Sequence, residues 1–177
     1  MSERWDRRYA ERSGPLSPPD EGVVALTPST PGKALDLAGG DGRHAAWLME
    51  QGWDVTLVDS SSVGVARAAQ RIPGLNTLQV DLEKDPFPTG SFDLVLMAHY
   101  YQPSLFQNAA QCLAPGGHLL FVQPTLTNLE RHPRPSARFL VDPVTYEQLA
   151  GELMVVHASA EWRENDRHTA WLLAQRR

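Results

Sequence analysis

The stretch from Lys33 to Ser60, KALDLAGGDGRHAAWLMEQGWDVTLVDS, constrains the fold more than any other part of the chain. A short apolar run over residues 34–38 turns through Gly39, Gly40 and Gly42 into an alanine-rich segment whose apolar positions recur at helical spacing. Gly52 stops that helix, and Val55, Leu57 and Val58 form a second apolar run ending on Asp59. The stretch therefore predicts a βαβ unit.

The glycines let the chain turn sharply from strand to helix while its backbone comes close to a ligand, which a Cβ would obstruct. The first helical turn then points free N–H groups at whatever lies there. Asp59 follows Asp36 by 23 positions, close to the roughly 20-residue offset at which an acid meets ribose hydroxyls in nucleotide-binding βαβ units. A nucleoside ligand is implied. Asp36 narrows the choice: a carboxylate just before the glycines would repel a pyrophosphate and suits a cationic amino-acid group.

DLAGGDG, Asp36 to Gly42, resembles the D-x-G-x-G-x-G loop of class I S-adenosylmethionine-dependent methyltransferases more than the G-x-G-x-x-G of dinucleotide enzymes. Ala38 stands where that family usually has its first glycine, a change expected to be tolerated if its φ is negative. The resemblance implies a Rossmann-like α/β fold, a mostly parallel seven-stranded sheet with helices on both faces and an antiparallel last strand. It also implies S-adenosyl-L-methionine as cofactor.

The charge balance limits the partners. A net charge of −5 leaves no broad basic footprint for nucleic acid, so a small-molecule substrate is expected. The charged opening residues MSERWDRRYAERSG do not read as a signal peptide, and no apolar run reaches the roughly 18 residues of a membrane span. A cytoplasmic protein without membrane attachment is the expectation. Cys112 is the only cysteine, and the six histidines show no ligand spacing, so no metal is inferred. Residues 1–177 read as a single domain in which residues 1–30 form N-terminal cap helices; the oligomeric state is not legible.

Residues 2–12 carry helix formers, and Trp5-Asp6-Arg7-Arg8-Tyr9 resembles the opening of small bacterial methyltransferases of the tellurite-resistance and thiopurine type. That resemblance implies a leading segment folded over the cofactor, with Tyr9 closing the site; an ordinary amphipathic helix packed on the sheet fits the residues equally. Residues 20–26 read as a short helix, and Ser60 or Ser61 as the N-cap of a helix reaching Arg71. Residues 75–81 read as a third strand ending on an acid. Asp81 and Leu82 resemble the family's adenine site, although Asp81 alone would also cap a turn.

Residues 92–98, FDLVLMA, form the nearly continuous apolar run of a central parallel strand. Its end carries His99, Tyr100 and Tyr101, placed where open α/β sheets bind ligands. His99 is the candidate general base and a cofactor neighbour; the two tyrosines are candidates to orient the substrate or enclose a sulfonium. Residues 105–113 read as a helix, and Leu113-Ala114-Pro115-Gly116-Gly117 as the family's L-x-P-G-G turn into a fifth strand. The proline-rich segment 124–142, with ERHPRP followed by FLVDP, resembles a lid over the substrate, with Arg131, His132, Arg134 and Arg138 as candidates for an anionic group. A short helix over 144–150 and a terminal hairpin over 154–174 complete the reading.

The site expected from the sequence is thus Tyr9, Asp36, Ala38, Gly39, Gly40, Gly42, Asp59, Ser60, Asp81, Leu82 and His99 around the cofactor, and Arg131, Arg134 and Arg138 around the substrate. The expected reaction is in-line methyl transfer to a small molecule. A nucleoside-cofactor-binding module without catalysis and a dinucleotide-dependent oxidoreductase stand as the alternatives.

Overall fold

The computed structural model describes residues 2–177. Five strands run parallel: β1 (Lys33–Leu37), β2 (Asp54–Asp59), β3 (Asn76–Gln79), β4 (Phe92–Ala98) and β5 (Leu113–Pro124). A closing hairpin follows, β6 (Met154–Trp162) and β7 (His168–Gln175), with β7 antiparallel to both β5 and β6. The spatial order is β3-β2-β1-β4-β5-β7-β6. This is the expected seven-stranded Rossmann-like sheet, and the inserted antiparallel β7 separates it from the all-parallel dinucleotide-binding order.

Burial explains the order. Leu94, Val95, Leu96 and Met97 of β4 are fully buried, as a strand covered on both faces must be, and β4 lies at the centre between β1 and β5. β3 is mostly exposed and forms an edge. Alternation along the strands divides the core. Ala34, Leu94, Leu96, Leu120 and Val122 face α2 (Glu21–Leu26), α3 (Arg43–Glu50) and α4 (Ser62–Arg71), whereas Leu35, Leu37, Val95, Met97 and Phe121 face α5 (Phe106–Gln111) and Tyr146.

The helix starts follow local chemistry. Asp20 caps α2 by accepting from the Gly22 amide at 2.9 Å, and Ser61 caps α4 through the Gly64 amide at 3.0 Å. The leading helix α1 (Ser2–Glu11) packs along α4, where its Asp6 accepts from the Ser61 hydroxyl at 2.6 Å and the Val63 amide at 3.2 Å.

Several boundaries differ from expectation. The helix expected over 105–113 is a 3-10 turn, Pro103–Leu105, running into the shorter α5, because Leu113 pairs with Phe92 and so begins β5 ahead of the proline-glycine turn. The helix expected over 144–150 is a 3-10 segment, Tyr146–Ala150. The third strand stops at Gln79, leaving Asp81 in the following turn. The segment expected to form a lid is folded: 3-10 turns at Leu126–Glu130 and Ala137–Phe139 lie between Thr125 and Val141, which join in a parallel bridge. Among the described residues no helix is long and apolar enough to cross a membrane, and no group of three or more His, Cys, Asp or Glu is placed to hold a metal ion.

Candidate active site

Parallel strands place all their carboxyl ends on one edge, and here that edge carries acids on three neighbouring strands. Asp36 lies one residue from the end of β1, Asp59 ends β2, and Asp81 follows β3 by two residues. The glycine turn leaves β1 beside them. Gly40 donates its amide to Asp59 Oδ2 at 2.8 Å, and Ser61 donates to the other oxygen at 2.8 Å, so Asp59 ties the turn to the start of α4.

Asp36 is only 1% exposed, and its Oδ2 has no partner among the described residues. Burial, reinforced by the charge of Asp59, pushes its carboxyl up to about 7 against the opposing pull of Arg43 and the Ala45 amide. A cation supplied at this position relieves both penalties. Burial also raises Asp59.

The turn is shaped for close approach. A Cβ on Gly39 would sit 2.7 Å from Asp36 Oδ2 and 2.8 Å from Leu57, and one on Gly40 would sit 2.1 Å from the Tyr9 hydroxyl. Tyr9 is therefore a buried cover over the turn, 8% exposed. Burial and the nearby Asp59 raise its phenol well above the ordinary range. Arg12 fixes the same helix end, pairing with Asp41 at 3.0 Å.

Ala38 corrects one expectation, since its φ is +55° and not negative. The methyl group is accommodated, but the backbone takes the left-handed form that the family glycine allows freely. Ala38→Gly is expected to stabilise the fold by about 0.5–1 kcal/mol, read as a melting-temperature rise of roughly 1–4 °C in a calorimetric scan.

The remaining candidates divide. His99 also has positive φ, +59°; its amide extends the sheet by donating to the Val122 carbonyl at 2.8 Å, and its ring Nε2 lies 2.8 Å from Asp20. Tyr100 and Tyr101 do not join it, because both pack toward the opposite core. Burial pushes Tyr100 up to about 12, aided by Glu83, Asp81 and Asp59, and the Tyr101 ring lies 6.1 Å from Phe121. Leu82 is buried in the same core, and Ser60 is half-buried behind Asp59. Asp81 accepts from Lys84 Nζ at 2.8 Å and from the Glu83 amide at 3.1 Å, so it caps its own turn.

Arg131 pairs with Asp166 in the β6–β7 turn at 2.7 Å and stacks on Trp162 at 3.7 Å; Arg138 stacks on Phe139, and Arg134 is exposed. His132 joins Asp166 at 3.1 Å. Sequence reasoning missed Arg43, Asp20 and the depth of His44. Arg43 opens α3, partly buried, within the field of Asp20, Asp36 and Asp41. His44 is buried, its ring stacked 6.4 Å from that of His99, and burial, with Arg43 next, pushes it down to about 3.

Comparison with known proteins agrees with this geometry. The family described as "Methyltransferase domain" matches residues 34–117, from β1 through the L-x-P-G-G turn. An uncharacterized methyltransferase of Mycobacterium tuberculosis is 36% identical over 121 residues, which cover 65% of this chain and 49% of that protein. The chain thus spans about half the length of the relatives it matches by sequence. Among solved structures, TehB from Haemophilus influenzae superposes with a TM-score of 0.75 over 98% of this chain and 67% of that one, at 18% identity. The N-methyltransferase NodS from Bradyrhizobium japonicum, in complex with S-adenosyl-L-homocysteine, does so with a TM-score of 0.75 over 99% and 97%, also at 18% identity. These two likenesses are of fold. The residues present fit the family's cofactor: an orphaned buried carboxylate for an ammonium, a second carboxylate for a sugar, and a glycine turn packed so closely on Asp36 and Tyr9 that a Cβ would collide with them. Residues 34–117 thus match a methyltransferase-domain family, on a sheet order and glycine turn of the kind expected for the class I S-adenosylmethionine-dependent methyltransferase fold.

Proposed function

We propose that the chain methylates a small-molecule acceptor by in-line displacement, and that the acceptor lies over the ends of β4 and β5 beneath the lid. One observation carries this reading: Asp36, with its unpartnered oxygen, and Asp59 flank a single glycine turn on one edge of the sheet. When bound, S-adenosylmethionine supplies an electrophilic methyl group on a sulfonium. Asp36 is assigned to the ammonium of its amino-acid end and Asp59 to its ribose hydroxyls. Asp81 and the Leu82 amide are assigned to its base, for which Asp81 must share or leave Lys84.

Tyr9 and α1 exclude water from the turn. Positioning in a dry site supplies most of what such a reaction needs, since effective molarity is worth roughly 7–11 kcal/mol. Arg131 is assigned to holding the lid against the β6–β7 hairpin, because it pairs with Asp166 and stacks on Trp162.

The test has two parts. Titration calorimetry with S-adenosylhomocysteine is expected to give binding at one site per chain, and its absence at high ligand concentration rejects the reading. A screen of cell metabolites with labelled methyl donor is then expected to yield a labelled small product. Cofactor binding without any labelled product would favour a binding module.

A further inference from the structure

Three groups unused by the cofactor assignment meet where β4 ends. His99 follows β4 directly, and the pairing of Leu37 with Met97 sets it beside the glycine turn. Its ring is held from one side by Asp20, at 2.8 Å, and flanked on another by His44, at 6.4 Å with the planes 15° apart. Asp20 is itself immobilised. Its other oxygen accepts from the Gly22 amide at 2.9 Å as the N-cap of α2, so one carboxylate fixes a helix start and an imidazole 79 residues away. The backbone at His99 is left-handed, with φ +59°, an uncommon conformation for a residue other than glycine.

An ionised carboxylate can only accept hydrogen bonds, so the nitrogen facing Asp20 must carry the hydrogen. Burial acts to raise the Asp20 carboxyl, but the hydrogen bonds it accepts from the His99 ring and the Gly22 amide help to keep it below the usual carboxylate range. The titratable groups facing His99 are Asp20 from the segment before α2 and His44 from α3, and Arg43 lies within the field of both. His44 stays neutral in this setting, so it adds no charge beside the ring.

We propose that Asp20 is a positioning residue that holds His99 as its Nε2–H tautomer, leaving Nδ1 free to take a proton, and that the acceptor therefore presents a neutral O–H, N–H or S–H group rather than a carboxylate. The proposal rests on the reading of the chain as an active methyltransferase. The balance is simple. The acceptor's lone pair forms the new bond to the methyl carbon, the electrons of the broken carbon–sulfur bond remain on sulfur, and the acceptor's proton passes to Nδ1 of His99 and then to water. The products are methylated acceptor, S-adenosylhomocysteine and one proton. A carboxylate acceptor has no such proton to give, and the arginine best placed by sequence to hold an anion, Arg131, is occupied.

The test begins with the protein labelled with ¹⁵N in its histidine rings, recorded with S-adenosylhomocysteine present and assigned by the loss of one ring in His99→Gln. The expected pattern is a single Nε2–H tautomer for His99 at pH 7 to 8. In Asp20→Asn, which keeps a good helix cap, and in Asp20→Ser, which caps but is too short to reach, that pattern is expected to give way to mixed tautomers while the melting temperature stays close to wild type. A Nδ1–H tautomer in wild type, or the same pattern in all three proteins, overturns the dyad. The second arm offers labelled methyl donor to phenols, alcohols, thiols and amines on one side and carboxylates on the other. Transfer to the first group is expected, with kcat lowered at least roughly 10-fold in Asp20→Asn and KM little changed, within the range a general base supplies. Transfer only to carboxylates, or to no acceptor despite S-adenosylhomocysteine binding, overturns the acceptor assignment. Failure to bind S-adenosylhomocysteine at all instead sinks the methyltransferase reading, and the tautomer result then stands by itself.

Discussion

Asp36→Asn is expected to be more stable than wild type at pH 8 and to bind S-adenosylhomocysteine roughly 10- to 150-fold more weakly. The first half follows from the sign of the shift. The carboxyl stands near 7 in the folded protein, chiefly because it is buried and then because Asp59 is close, against 3.8 when unfolded. Between those values the folded state binds the extra proton, so stability is greatest below about pH 4, falls as pH rises towards 7, and stays low above it. About three units at roughly 1.4 kcal/mol each make this on the order of 4 kcal/mol. An amide cannot ionise, so the variant lacks the fall. Its buried NH2 replaces the orphaned oxygen and costs about 1–3 kcal/mol, which leaves a net gain of roughly 1–3 kcal/mol at pH 8 and none at pH 4.5. Urea unfolding at the two pH values measures the difference. The second half follows from charge: the ammonium assigned to Asp36 loses its counter-ion, and a charge-assisted hydrogen bond is worth roughly 1.5–3 kcal/mol. Wild-type affinity is expected to rise with pH through 7, with proton release detected by calorimetry in buffers of different ionisation enthalpy. A variant that binds as wild type does would remove Asp36 from the site.

What the sequence made legible was local. The strand-turn-helix of residues 33–60, the Ser61 cap and the continuous run of β4 depend on neighbours a few positions apart, and periodicity and glycine placement encode them. What escaped depends on distant groups. Asp20 reads only as the start of a short helix, and nothing near it announces His99 at 79 positions' remove. Arg131 looks like a cation free for a substrate until the hairpin brings Asp166 beneath it. Ala38 is the converse case. Sterics alone argue for negative φ, yet the geometry that joins β1 to the turn prevails over the residue's preference. Asp81 lies between: its place near the carboxyl end of the third strand was legible, whereas its bond to Lys84 is a competition that only a ligand would decide.

Asp59→Ala is expected to have the larger combined effect, because one carboxylate serves both the fold and the proposed ribose contact. It is 6% exposed and accepts the amides of Gly40 and Ser61, each at 2.8 Å. Removing it orphans two buried donors, costing roughly 1–3 kcal/mol each, partly offset because a carboxyl raised by burial no longer has to stay ionised. A loss of about 2–4 kcal/mol is expected, seen as a lower urea midpoint. Two ribose hydroxyls that lose a charged acceptor forfeit a similar amount, so S-adenosylhomocysteine affinity is expected to fall by roughly 30- to 800-fold. Asp59→Asn separates the two roles. Its single carbonyl oxygen can serve Gly40 or Ser61 but not both, since the NH2 group meets the second donor head-on. It should therefore recover part of the stability and little of the affinity. Equal recovery of both would mean that Asp59 acts on the ligand only by holding the glycine turn in place.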